Sequence, residues 1–151
     1  MREITVARTL NARCVAVWAV LADYAGIERW NRSVKESHTT NGLETGLGAQ
    51  RYCKMAPAGS LTETITAWKP EELMVVTIDS TSMIPIGKGV VDYSLKPAGD
   101  DQSTAMEIRY AFDVKGGRVA QIAAPLVGKQ LIKAFEDVLT DLEEAARSDR
   151  R

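Results

Sequence analysis

The sequence predicts an α+β fold: a strongly curved antiparallel sheet of about seven strands wrapped around one long C-terminal helix, with short helices after strand one. Three observations carry this expectation. Alternating, β-branched segments fill most of residues 3 to 112, tight-turn residues rather than helical crossovers separate the later ones, and the last third of the chain repeats apolar residues at helical steps.

Glu3 to Leu10 alternates around Ile4 and Val6, the pattern of a first strand. Asn11 offers an N-cap, and Cys14, Val17, Trp18 and Leu21 recur at helical spacing until Asp23-Tyr24-Ala25-Gly26 interrupts them. A short helix follows strand one, and Ile27 to Trp30 adds a turn. From Ser33 to Ala67 the pattern is three strands, punctuated by Asn41-Gly42, by Gly46 and Gly48, and by Pro57-Ala58-Gly59. Leu73 to Ile78 and Lys88 to Leu95 read as two more strands, the second with Val91, Tyr93 and Leu95 on one face. After the turn Pro97 to Asp101, Met106, Ile108, Tyr110 and Phe112 alternate with charged residues in the clearest strand of the chain. The apolar positions from Val119 to Ala145 then define one long amphipathic helix, with Pro125 and Gly128 predicting a kink in its first third.

At 151 residues and 16.5 kDa, folding should leave about 7,500 Å² of surface exposed, the scale of a single domain over residues 1–151. The charged end from Arg147 to Arg151 reads as a flexible tail. Nineteen basic against twenty acidic residues give a net charge of −1, which argues against nucleic acid as a partner. Cys14 and Cys53 are far apart and match no metal or redox spacing, so they read as two buried thiols in a reducing compartment. Neither an apolar leader nor a long apolar run is present, and the expected location is the cytoplasm, without a membrane span. His38 is the one histidine, so a nucleophilic triad or a zinc site lacks ligands, and no glycine pattern supports a nucleotide. No cofactor and no metal are expected.

Four short pieces, in this order, resemble the START-related SRPBCC superfamily with its helix-grip fold, and within it the polyketide cyclase/dehydrase-like group. They are Asp23-Tyr24 with Trp30-Asn31, Gly48-Ala49-Gln50-Arg51, Glu63-Thr64-Ile65, and Pro85-Ile86 preceding Tyr93-Ser94-Leu95-Lys96-Pro97. The resemblance covers nearly the whole chain. It implies a hydrophobic ligand cavity between sheet and helix, in a family that includes lipid and hormone binders, aromatase/cyclases and quinone-binding proteins.

Within that frame, Arg51 shares its strand face with Cys53, and Glu63 shares its face with Leu61, Ile65 and Ala67. Burying either charge alone is costly, so the two are expected opposite each other as an ion pair, with or without a ligand beside them. Tyr93 and Tyr110 bring phenols into an apolar wall, as core residues or as donors to a ligand carbonyl. Ile122, Leu126 and Gln130, with Phe135, form the helix stripe expected to face the sheet. Met83, Ile84 and Ile86 lie in a predicted loop from Ser80 to Lys88, either as a gate over the cavity or packed on the long helix. Trp18, Trp30 and Trp68 read as packing residues, and Lys133, Glu136, Asp137, Asp141, Glu143 and Glu144 as the solvated face of the last helix.

The favoured reading is a binder of a small hydrophobic molecule (lipid, isoprenoid or polyketide) in a cavity lined by Arg51, Cys53, Glu63, Tyr93, Tyr110, Ile122, Leu126 and Gln130. The alternatives are an aromatase/cyclase or dehydrase using Arg51, Glu63 and a tyrosine for acid/base work, and a ligand-free interaction module. A homodimer is left open.

Overall fold

The computed structural model describes residues 1–148. Strand β1 (Arg2–Leu10) leads into α1 (Cys14–Ala22) and a one-turn helix at Ile27–Arg29. Six strands follow: β2 (Val34–Thr39), β3 (Gln50–Met55), β4 (Ser60–Lys69), β5 (Leu73–Ser82), β6 (Ile86–Ala98) and β7 (Ser103–Val114). Helix α2 (Gly117–Ser148) closes the chain. The seven strands form one antiparallel sheet in the order β1-β7-β6-β5-β4-β3-β2, so β1 returns to pair with the last strand while the others meander. This is the helix-grip arrangement expected from the sequence.

Strand alternation decides which side chains face α2. Met106, Ile108, Tyr110 and Phe112 of β7 are all buried, as are Val91, Tyr93 and Leu95 of β6. Two bulges in the β4–β5 pairing, at Thr62/Glu63 and between Ile65 and Ala67, break the simple period. The second bulge turns Trp68, rather than a continuation of the Glu63 and Ile65 row, onto the core, where its ring meets Trp18 edge-on at 5.0 Å. Sequence alternation alone places Ala67 on that row.

Three local expectations are corrected. Asn11 does not cap α1: its backbone N–H donates to Glu143 Oε2 (2.6 Å), and the helix begins after Arg13 without a side-chain cap. The loop from Ser80 to Lys88 is mostly strand, because β5 continues to Ser82 and β6 begins at Ile86, leaving only Met83, Ile84 and Pro85 to turn. Asp141 is not on a solvated face: it is buried and accepts from the Arg32 backbone N–H and guanidinium, the closest contact being 2.7 Å. That contact fastens the segment before β2 to the C-terminal part of α2.

Helix α2 runs unbroken through Pro125 and Gly128. Its inner face is Ala124, Val127, Leu131, Phe135, Val138 and Leu142, spaced three or four apart. Of the expected tail, Arg147 and Ser148 belong to α2, and Arg147 donates to the Asn11 carbonyl (2.9 Å). Residues 149–151 lie outside the described residues.

Candidate functional site

The β3–β4 register sets Arg51 directly opposite Glu63. Both point inward because they share strand parity with buried Cys53 and Ile65. Arg51 Nε donates to Glu63 Oε1 at 2.7 Å, and Nη2 lies 2.5 Å from the same oxygen. The third arm, Nη1, donates to the Tyr24 carbonyl at 3.0 Å. The guanidinium carbon also sits 3.8 Å above the Tyr24 ring centroid. Tyr24, which follows α1 and is fully buried, completes the knot by donating its hydroxyl to the Glu63 backbone carbonyl (2.8 Å). Every component is thus held by another element, and each nitrogen of the guanidinium has a partner.

The electrostatics follow from this enclosure. Burial alone would lower the Arg51 pKa, but the Glu63 carboxylate, then Tyr24, more than offset it and hold the guanidinium above its ordinary range. Burial, with the Glu63 charge second, raises the phenols of Tyr24 and Tyr110. Tyr93 is raised for the same two reasons. Burial pushes the Cys53 thiol up to about 12 despite the nearby Arg51 charge, so it stays protonated and is a poor nucleophile.

Beside this knot lies a cavity of about 170 Å³ between the sheet and α2. Arg51, Cys53, Glu63, Tyr93 and Tyr110 line its sheet side with Ile78, Ile86 and Val91. Leu131, Ala134, Phe135 and Val138 of α2 line its helix side, and Ile27, Asn31, Ser33 and Val34 line it as well. Met55, Leu61, Thr81 and Ile84 are half-buried lining residues and form part of the rim. The Tyr110 ring is set between Phe112 at 5.1 Å and Phe135 at 5.3 Å. It fits only because residue 89 is glycine: a Cβ there would lie 2.7 Å from Tyr110 Cε1.

The five sheet residues expected at the site therefore meet at one cavity. The three expected from the helix do not: Ile122 is 82% exposed, Leu126 is 59% exposed, and Gln130 is also on the solvent side. The inner face is about a quarter-turn to a half-turn away from their stripe, at Leu131, Ala134, Phe135 and Val138. Of the expected gate, Ile84 and Ile86 line the cavity, while Met83 is 82% exposed. Tyr24 is the residue to which sequence reasoning assigns no role. The sequence marks it as a large aromatic among turn residues directly after a helix and as part of the Asp23-Tyr24 piece of the resemblance, neither of which points to a role at Arg51 and Glu63. His38 is exposed and stacks on Tyr52, away from the cavity. Among the described residues no three of His, Cys, Asp and Glu gather as a metal site.

Comparison with known proteins bears on this geometry. The model of the family described as polyketide cyclase / dehydrase and lipid transport matches residues 1–147. A search of curated proteins finds no match. Among solved structures, a protein from Thermus thermophilus superposes with a TM-score of 0.83 at 14% identity, covering 99% of this chain and 100% of its own. The Zhui aromatase/cyclase from Streptomyces sp. R1128 superposes at 0.82 with 15% identity, over 99% and 96%. A START superfamily protein from Mycobacterium smegmatis superposes at 0.78 with 15% identity, over 97% of both chains. At these identities the likeness is one of fold.

Proposed function

Since the chain belongs to the polyketide cyclase / dehydrase and lipid transport family, we propose that it binds a compact hydrophobic molecule in the cavity between sheet and α2. The observation that carries this reading is an apolar space of about 170 Å³ into which a buried aromatic and aliphatic wall is already shaped. A protein cavity of about 150 Å³ accommodates benzene, so this space suits one ring with short substituents rather than an extended chain. Tyr93 and Tyr110 supply phenol hydroxyls to the cavity lining, which suits a ligand carrying a carbonyl or hydroxyl. A lipid, isoprenoid or polyketide of greater length requires the half-buried rim at Leu61, Ile84 and Leu131 to part.

An aromatase/cyclase or dehydrase activity is the second reading, favoured by the presence of Arg51, Glu63 and two tyrosines around one cavity. Proton transfer at neutral pH is most effective from a group that titrates near that pH. Burial instead drives both phenols away from neutrality, and Arg51 is occupied by Glu63 and Tyr24. These features favour holding a ligand over turning it over.

The test is native mass spectrometry of the purified chain, followed by denaturing extraction of any molecule that travels with it. A retained ring-sized hydrophobic compound is the expected result. An unliganded mass, together with no rise in melting temperature across a panel of substituted phenols, naphthols and quinones, overturns the binding reading. Consumption of such a compound during incubation would move the assignment to the enzyme.

A further inference from the structure

We propose that the first half of α2, with the adjoining β5–β6 turn, docks on the surface of an anionic lipid bilayer. A helix packed on a sheet ordinarily turns its apolar stripe inward and leaves a polar face to water. Here α2 satisfies the core with Ala124, Val127 and Leu131 and still carries a second apolar row outward. Val119 is 79% exposed, Ile122 82% and Leu126 59%, at steps of three and four that keep them on one face. Met83, 82% exposed, joins them from the β5–β6 turn, held at a φ of 60° that a long side chain seldom adopts. Lys115 ties that turn to the start of α2, with its N–H on the Pro85 carbonyl (2.9 Å) and its ammonium on the Thr81 carbonyl (3.2 Å).

The charge around this row has one sign. From Val114 to Phe135 the chain holds Lys115, Arg118, Lys129 and Lys133 and no Asp or Glu. From Glu136 onward the solvent side of the same helix becomes acidic, with Glu136, Asp137 and Glu144, and a loose Lys133–Asp137 contact of 3.8 Å marks the border. A nearby carboxylate, Asp113, faces the chain's amino terminus at 3.8 Å.

Exposed apolar side chains interleaved with cations match a bilayer interface, which offers acyl chains to the first and headgroup phosphates to the second. A second copy of this chain fits less well. The cationic half repels itself, and the acidic half offers charge without an apolar cover for Ile122 and Leu126. No helix among the described residues is long and apolar enough to cross a membrane, so the contact is peripheral. Docking here would set against the lipid the same helix whose Leu131 and Phe135 line the cavity. The exposed row and its cations are independent of what the cavity contains.

The experiment is co-sedimentation of the full chain with vesicles of phosphatidylcholine alone and of equimolar phosphatidylcholine and phosphatidylglycerol, at low and high salt. Binding is expected to the mixed vesicles, with salt weakening it. Lys129→Gln and Arg118→Gln should each lower the partition coefficient about five-fold. The double substitution Ile122→Ser with Leu126→Ser should reduce it at least about ten-fold, with an unchanged melting temperature because both side chains are exposed. Absence of binding to either vesicle overturns the proposal, as does equal binding by the variants. A concentration-dependent dimer in analytical ultracentrifugation that the double substitution dissociates overturns it in favour of self-association.

Discussion

Arg51 and Glu63 stand directly opposite each other on neighbouring strands, their charges in contact at 2.5 Å, and the chain places both almost out of reach of water. Such a pair is held by its geometry: alone, either charge would be stranded in the core. Tyr24 makes the geometry rigid from a third element, by receiving Arg51 on its ring and carbonyl and donating to the Glu63 backbone.

Glu63→Gln should therefore destabilise the fold by about 3 kcal/mol or more, since it leaves a buried guanidinium with only a neutral partner. For a chain of this length that corresponds to a fall in melting temperature of about 6–12 °C. Replacing both residues, as Arg51→Met with Glu63→Leu, should recover much of the loss. A thermal melt of the two variants beside the parent protein measures it, and a shift near zero for Glu63→Gln would mean the pair is solvated.

Gly89→Ala should displace the Tyr110 ring, because the added methyl would lie 2.7 Å from Cε1, 3.0 Å from the hydroxyl and 3.1 Å from Ile78 Cδ1. Overpacking of this kind costs about 1–3 kcal/mol. Tyr110→Phe, by contrast, should leave stability nearly unchanged while weakening any ligand that uses the hydroxyl. Chemical denaturation and ligand titration of the two variants separate the effects.

Filling the cavity is the converse test. Ala134 is a half-buried wall residue, and Ala134→Leu places a larger side chain in the space. Stability should rise by about 0.5–2 kcal/mol while the ligand-induced rise in melting temperature disappears. Retention of that rise would place the ligand elsewhere.

Stability should fall in alkali. The Cys53 thiol, ordinarily at 9.0, is pushed up to about 12 by burial, and Tyr24, Tyr93 and Tyr110 are raised above 10.0. Each holds its proton more tightly folded than unfolded, so its contribution is complete below the unfolded pKa and is lost as pH climbs toward the folded one. Cys53 contributes a slope of about 1.4 kcal/mol per pH unit between about pH 9 and 12, and the phenols steepen it above about pH 10. Cys53→Ala should flatten the segment between pH 9 and 10 in a series of chemical denaturations. The same burial predicts that the native protein resists thiol alkylation at pH 8.

Asp141→Asn should lower the melting temperature by loosening α2 from the segment before β2, where the carboxylate accepts three Arg32 donors. Arg32, raised by its hydrogen bond to Asp141 and then by the aspartate's charge, remains cationic throughout. Hydrogen exchange should show the loss concentrated at Asn31 to Val34 and in the C-terminal part of α2 around Asp141.

The sheet side of the candidate site was legible before any coordinates because a strand has period two: once Cys53 and Ile65 are inside, Arg51 and Glu63 must be inside with them. The helix side was not, since a pattern with apolar residues on two faces has no unique phase. Ile122 and Leu126 match helical spacing as well as Leu131 and Phe135 do. Trp68 packs on the core as the sequence suggests, but the bulge that turns it inward in place of Ala67 shifts parity without a sequence mark.

By itself, then, the sequence determined the order and type of the elements and the inward set of each regular strand, because these rest on local periodicity and turn chemistry. The tertiary structure alone decided which face of α2 closes the cavity, that Tyr24 clasps the Arg51–Glu63 pair, and that Asp141 is buried. Each of those depends on segments far apart in the chain meeting in space, where burial and hydrogen bonding select one arrangement from several that the local pattern allows.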